Sequence, residues 1–374
     1  VETRFALPQP TAVADVRHLL PRRLEDECEI IFVDGRLAPE HSRLDPLAGV
    51  VVSEWDAGLR NGLGDRLRGH LCGAWPEDEA PFVALNRALS TGGVYIRVER
   101  GAVVSKRLHI LFLNTGQQPR MVVAPRVVIE VEPQADVRIV QSHTGHPGSV
   151  SFTDAVTDLV VGAEARVAFT KVQAEAPDAF HYGAVRARLA RGSRASLFDF
   201  TVGGKLARHD VYAQLDGEGA EVHLDGLSAL KDRQHADHHT CVDHAAPRGT
   251  SRQVYKSILD GSARLVFNGR VVVRPGSSLT DGYQLNRHLL LSRSAVVNTK
   301  PELEIANDDV KCSHGASIGQ IDDTQLFYLQ SRGLDPVEAQ AMLSRGFVED
   351  VLYRIADKPL QDNLRALLGG FFAK

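Results

Sequence analysis

Cysteine is scarce: Cys28, Cys72, Cys241 and Cys312 are the only four in 374 residues. Thiols so few and so scattered exclude a disulfide framework and point to a reducing, cytoplasmic compartment. They also argue against a four-thiolate cluster site held by this chain alone. Neither sign of charge dominates, with 43 Lys and Arg against 47 Asp and Glu, a net charge of -4 and a pI near 6.4. That balance excludes a broad electrostatic surface for nucleic acid or an anionic membrane. No segment approaches the ~18 uninterrupted apolar residues of a membrane helix. The first residues, Val1 to Phe5, carry neither an initiator Met nor a signal-peptide core, which suggests a trimmed chain. Nucleotide motifs are missing too. Gly203-Gly204-Lys205-Leu206 has neither the glycine spacing nor the hydroxyl of a P-loop, and no dinucleotide fingerprint or G-x-S-x-G elbow occurs.

Glycine, by contrast, is plentiful at 32 residues, while aromatics make up only 6%. A chain that turns often and stacks small residues has this composition. The first 95 or so residues mix strand and helix signals. Residues 29–33 form an apolar run closed by the hairpin pair Asp34-Gly35. Leu59, Leu63, Leu67 and Leu71 predict an amphipathic helix over 57–71, and Phe82, Leu85 and Leu89 a second over 78–89.

From about Tyr95 short β-type runs take over. A turn, then Ala, then apolar residues two and four positions on, recurs at Ala135, Ala165, Ala220 and Ala263, with weaker copies at Ala195 and Ala295. The spacing is irregular, but no helical pattern separates the runs, which excludes βαβ units. A sandwich or barrel and a β-solenoid both remain, and the small turn residues favour the solenoid. After about Asp322 the chain turns helical. Asp322 starts one helix that Gly333 stops, and Asp335-Pro336-Val337-Glu338 starts another. The second carries Val337, Ala341, Val348, Val351, Leu352 and Ile355 on one stripe, widened by Leu343 and Phe347. Such a face packs on the chain's own body or docks a partner.

Two clusters could carry chemistry. On a strand over 234–244, alternation places His235, Asp237, His239, Cys241 and Asp243 on one face. The other face, Ala236, His238, Thr240, Val242 and His244, is more apolar and is expected inside. Alternate residues lie ~6.6 Å apart, so only neighbouring pairs of the first face can share an ion. A metal site using His235, Asp237, His239 and Cys241, or a self-contained metal-dependent β-helix enzyme built on it, is one reading; a hydrated polar edge is the other.

The second cluster is Asp308-Asp309-Val310-Lys311-Cys312-Ser313-His314-Gly315. Extended, it puts Val310, Cys312 and His314 on one face. Thiolate and imidazole suit zinc, copper or an iron–sulfur cluster, and Lys311 would favour the thiolate. Two ligands do not complete a tetrahedral site, so the others must come from elsewhere in the fold or from another chain. A Cys–His hydrolase with His244 or His314 as base is open as well, but no oxyanion hole is recognisable.

This stretch, together with Thr299 to Ile305 before it and Gln325 to Gly333 after it, resembles the SufD branch of the SufB/SufD family, scaffold proteins of iron–sulfur cluster assembly. Tyr255-Lys256, Val266 to Gly269, Thr280 to Gly282 and Phe32 to Arg36 are similar too, so the likeness spans about 29–355. The resemblance implies a mainly β, right-handed parallel β-helix over 96–320, flanked by an N-terminal α/β region over 1–95 and a C-terminal helical domain over 321–374. It implies a non-enzymatic scaffold that pairs with a SufB-like β-helix, with a homodimer possible in isolation. The C-terminal helices would bind a SufC-like ABC ATPase through Phe347, Val348, Val351 and Leu352, which would place the missing P-loop in the partner. It further implies that Cys312 and, with more weight, His314 touch a transient cluster or iron at the interface with SufB, with no permanently bound cofactor. The family's longer N-terminal helical region is absent, disordered or outside this sequence.

Overall fold

Strands one turn apart lie side by side in parallel and in register. In the computed structural model of the chain, Val137 sits beside Val167, Val167 beside Ala195 and Ala195 beside Val222. On the opposite wall Leu159, Ala187, Ala213, Val242 and Val271 do the same. The structure describes residues 5–8, 16, 19–21, 24, 26–43, 47–55, 58, 66, 80–90 and 92–372. Successive strands alternate between two ten-stranded sheets, one running from Arg36–Leu37 to Val310–Gln320, the other from Val50–Glu54 to Val296–Ile305. The sheets enclose one continuous apolar core. This is the parallel β-helix. Stacked Val, Ala and Leu ladders from the two walls fill much of that core.

One corner recurs at six entries into the first sheet. Gln134, Glu164, Gly192, Gly219, Arg248 and Leu279 all have a φ between 58° and 69°. Each donates its backbone N–H to a carbonyl of the following turn: Ala163, Arg191, Glu218, Pro247, Ser278 and Asp309 in order. The corner demands a left-handed residue, which glycine supplies without steric cost at 192 and 219. The stacked bonds hold the other four in place. The alanine pattern now makes sense. Ala135, Ala165, Ala195 and Ala220 lead into the first sheet, whereas Ala263 and Ala295 lead into the second. The long gap between Ala220 and Ala263 is a change of sheet, not an irregular repeat.

Toward the N-terminus, Glu27–Val33 pairs in parallel with Arg107–Asn114 and extends the first sheet. The hairpin at Asp34-Gly35 forms, with φ of 48° and 79°, and returns as Arg36–Leu37. Helix α1, Pro81–Leu89, realises the expected 78–89 helix in its described part. Asn86 of α1 is buried and donates to the carbonyls of Pro125 and Asp154 at 3.1 and 2.7 Å, tying the helix to the second sheet. The helix expected over 57–71 lies outside the described residues apart from Gly58 and Arg66.

Three helices follow the last strand: α2, Asp323–Ser331; α3, Pro336–Leu352; and α4, Lys358–Phe372. The caps are those expected from the sequence. Asp322 accepts from the N–H groups of Thr324 and Gln325, and Asp335 from those of Val337 and Glu338. Helices α3 and α4 pack Val348, Val351, Leu352, Leu360, Leu364 and Leu368 onto the outer face of the first sheet, against Val140, Val172, Phe198, Phe200 and Ile258. Val337, expected on the buried stripe, is instead 50% exposed, because the helix meets the sheet only from its second turn onward.

Buried ion pairs lock this docking. Arg107 bridges to Asp357 at 2.6 to 2.9 Å and to Glu27 at 3.3 Å. Burial raises the Asp357 carboxyl, but the bonds from Arg107 outweigh it and hold the group below the ordinary carboxylate range. Arg107→Ala removes the nearest cation from two buried carboxylates, leaving Asp357 with Arg138 at 3.6 Å, and is expected to cost about 3 kcal/mol. Urea unfolding of the variant against wild type measures this; a midpoint shift corresponding to under about 1 kcal/mol would show the bridge to be dispensable.

Candidate functional site

The last turn of the β-helix is open. Strands Val296–Ile305 and Val310–Gln320 each pair on one side only, and no described residue covers their free edges. Side chains on both faces are exposed, among them Ile305 at 43% and Ile318 at 47%. Cys312 and His314 belong to this turn. Cys312 lies beside Gly282 and His314 beside Gln284, so both continue inward-facing ladders to the free edge. A Cβ on Gly282 would approach Cys312 Sγ to 3.2 Å, so the glycine leaves room for the sulfur. His314 is exposed and Cys312 half-buried.

Lys311 does not activate the thiol as its position in the sequence suggested. It lines a shallow depression with Arg252, Asp281, Tyr283, Ser313 and Cys312 itself, yet is not among the groups that shift the thiol. Burial, seconded by the Asp281 charge, pushes the Cys312 thiol up, against the opposing backbone hydrogen bond with Gly282. Two donor side chains at an unpaired edge can share a ligand with whatever docks there.

The strand His235–His244 alternates as expected: Ala236, His238, Thr240, Val242 and His244 are buried, and His235, Asp237, His239 and Cys241 half-buried. Among the described residues the second set does not bring three ligand atoms together. His239 Nε2 comes within 3.0 Å of Asp237 Oδ1, but the other Asp237 oxygen accepts from Arg208 at 2.9 Å. Among the described residues no third His, Cys, Asp or Glu ligand atom converges there. The Arg208 guanidinium competes for the Asp237 carboxylate, and strand geometry keeps the next ligand too far along.

The C-terminal residues assigned to partner binding are also placed differently. Val348, Val351 and Leu352 are no more than 1% exposed, and their contacts are with the chain's own sheet and α4. Phe347 is half-buried beneath Lys256, whose Nζ lies 4.5 Å from the ring centroid and 2.7 Å from the Phe347 carbonyl. The large apolar groups this region offers to solvent include Phe327, Tyr328, Val337, Met342, Tyr353 and Leu367.

Sequence reasoning missed the polar half of the β-helix interior. Eight rings form a column: Phe32, Phe112, His143, His181, His209, His238, Tyr255 and Phe267, with neighbouring centroids 4.8 to 5.8 Å apart. Phe32, Phe112 and His143 sit on paired strands of the first sheet and His209 and His238 on paired strands of the second, whereas the contacts His143–His181, His238–Tyr255 and Tyr255–Phe267 cross between the sheets. Around the column lie buried polar side chains. Lys171 Nζ is 2.7 Å from His209 Nδ1, His181 Nδ1 is 2.8 Å from Glu175 Oε2, and Ser228 Oγ is 2.8 Å from His238 Nε2. Burial dominates their chemistry. It lowers the imidazoles of His143, His181 and His209, takes His238 to about 3, and takes Lys171 down to about 8. Asp199 is pushed up to about 6 by the same burial, against Lys171. The signal was present only as inward positions of separate strands, which the sequence aligns only once the register is known.

Fold and edge define the class: a parallel β-helix protein whose candidate ligands sit on an uncapped end turn. Residues 112–347 match the family described as SUF system FeS cluster assembly, SufBD core domain. SufD of Escherichia coli, an iron–sulfur cluster assembly protein, is 31% identical over 346 residues, 92% of this chain and 79% of that protein. A SufBD family protein of Synechocystis is 32% identical over 347 residues, 91% of this chain and 76% of its own length. SufB of Bacillus subtilis is 28% identical over 306 residues, 80% of this chain and 64% of that protein. The chain belongs to the SufBD family of SUF iron–sulfur cluster assembly proteins. No described helix is long and apolar enough to cross a membrane.

Proposed function

We propose that the chain is the SufD-type half of a two-chain scaffold, on whose shared edge an iron–sulfur cluster is assembled. One observation carries this reading: the unpaired end turn presents Cys312 and His314 on one face of an edge strand. Exposed strand edges are avoided in monomers and used for pairing by strand addition. A second β-helix docked there would pair the free backbone groups, cover Ile305 and Ile318, and add the ligands that a thiol and an imidazole lack. The preferred partner is SufB-like, since a paralogous β-helix offers a matching end turn. The cluster is cargo, formed and passed on.

The exposed apolar groups of α2 and α3, Phe327, Tyr328, Val337, Met342 and Tyr353, are the surface for a SufC-like ATPase. They replace the buried Val348, Val351 and Leu352 in that role. Motion of the ATPase would reach the edge through α2, which follows the strand carrying His314 directly.

Co-expression of the chain with SufB-like and SufC-like subunits tests the reading. A stable three-component complex that gains iron and sulfide on reconstitution is expected. Phe327→Asp should release the ATPase and leave the β-helix pair intact. Recovery of the chain only as a homodimer that engages neither subunit would overturn the proposal.

A further inference from the structure

Behind the open turn the interior is polar, and one inward ladder of side chains ends on His314. On the strands Thr250–Leu259, Thr280–Leu290 and Val310–Gln320, Gln253 lies beside Gln284 and Gln284 beside His314. Both glutamines are fully buried. Their amides are already joined, with Gln284 Nε2 donating to Gln253 Oε1 at 3.1 Å. The same oxygen accepts from Thr240 Oγ1 at 3.0 Å. The facing wall is cut to hold the Gln284 amide, since a Cβ on Gly269 would stand 1.8 Å from its nitrogen.

One atom of this arrangement is left over. Gln284 Oε1 is buried and has no hydrogen-bond partner. A buried acceptor without a donor is destabilising and therefore rare, so it calls for a partner. In a ladder of in-register glutamines each amide donates to the rung on one side and accepts from the rung on the other. Gln284 donates away from the open end, to Gln253, so its carbonyl accepts from the side of the open end. The next rung on that side is His314. Adjacent strands are about 4.8 Å apart, which puts an imidazole turned over the amide within reach. His314 is exposed and enters no hydrogen bond or ion pair among the described residues. An imidazole carries its two nitrogens on opposite sides of the ring. With one N–H given to Gln284 Oε1, the other nitrogen keeps its lone pair and faces the free edge. Such an outer contact sets the tautomer and orientation of a ligating imidazole.

We propose that Gln284 is the positioning residue for His314: when the edge is paired, the imidazole donates one ring N–H to Gln284 Oε1 and presents its other nitrogen to the shared cluster. The inference rests on the scaffold reading and adds to it the group that orients its histidine.

The test is a double-substitution cycle in the complex co-expressed with SufB-like and SufC-like subunits, read as iron and sulfide after reconstitution. Gln284→Met keeps the length of the side chain, removes the acceptor and should lower both by about tenfold or more. Added to His314→Ala it should cost nothing further, because Gln284 acts only through the ring. Gln284→Glu keeps an acceptor, to which Gln253 Nε2, itself buried and unpartnered, can turn and donate. Its assembly should stand well above that of Gln284→Met. A glutamine with a purely structural role predicts the reverse order, since a buried carboxylate is the harsher change. Urea midpoints and a pull-down establish that the variants fold and pair; should one substitution at Gln284 fail to fold, the other decides. Wild-type iron and sulfide in folded Gln284→Met, a further loss when it is added to His314→Ala, or assembly in folded Gln284→Glu no better than in His314→Ala overturns the inference. Wild-type levels in His314→Ala itself would instead overturn the reading of the edge from which it starts.

Discussion

His314→Ala is expected to leave the β-helix folded and to lower the iron and sulfide assembled on the purified complex at least tenfold. The first half follows from exposure. The His314 side chain stands on the open turn, and surface substitutions of this kind change stability by about 0.5 kcal/mol or less. The second half follows from ligand number. A site completed between two chains holds its cargo with few donors, and even outer-shell partners of a metal site cost about 10–100-fold when removed. Cys312→Ser should have the smaller effect, because burial raises the Cys312 thiol and leaves less thiolate at neutral pH. Iron and sulfide analysis of reconstituted complexes, beside a pull-down showing unchanged subunit content, measures both. Normal iron and sulfide in the His314→Ala complex would remove the histidine from the site.

The second large effect is acid sensitivity. Six buried imidazoles have lowered pKa values, all through burial: His143, His181 and His209, with His238 at about 3 and His244 and His288 at about 4. An unfolded histidine titrates near 6.5. As pH falls below that value the unfolded chain takes up protons that the native interior refuses, so stability is lost from about pH 6.5 downward. Three buried carboxylates oppose this. Burial raises Asp199 to about 6, Asp154 to about 7 and Asp225 above its ordinary value, so their contribution is present at low pH and lost as pH rises. Six sites against three leave a net difference of about three protons, each worth about 1.4 kcal/mol per pH unit. The loss between pH 6 and 4 is then on the order of the whole stability of a typical domain, about 5–15 kcal/mol. Urea midpoints at pH 7, 6 and 5 should fall steeply, and His238→Gln should flatten the slope by about one proton. Equal midpoints at pH 7 and 5 would refute the account.

Local signals carried much of the fold. The hairpin at Asp34-Gly35, the caps at Asp322 and Asp335, and the alternation through 235–244 were legible because each depends on a few neighbouring residues. The absence of helical patterns between strands sufficed to reject βαβ units. Global register was not legible. The alanine pattern looked irregular because it belongs to two sheets, and Val348, Val351 and Leu352 looked available because a stripe does not say what covers it. Cys312 and His314 could be found as a motif, whereas the thiol's raised pKa comes first from burial and then from Asp281, a neighbour only through strand pairing.

By itself, then, the sequence narrowed the fold to a glycine-rich all-β body, with a solenoid favoured over a sandwich, a mixed α/β start and a helical C-terminal region, and offered no P-loop motif and a Cys–His pair short of ligands. Tertiary structure decided the rest. It placed that pair on an uncapped turn, stacked four histidines from four strands into one column, and set His314 beside the buried amide of Gln284. The reason is physical: a parallel β-helix joins residues about thirty apart through in-register backbone pairing, and side-chain chemistry that depends on such neighbours exists only after the turns have stacked.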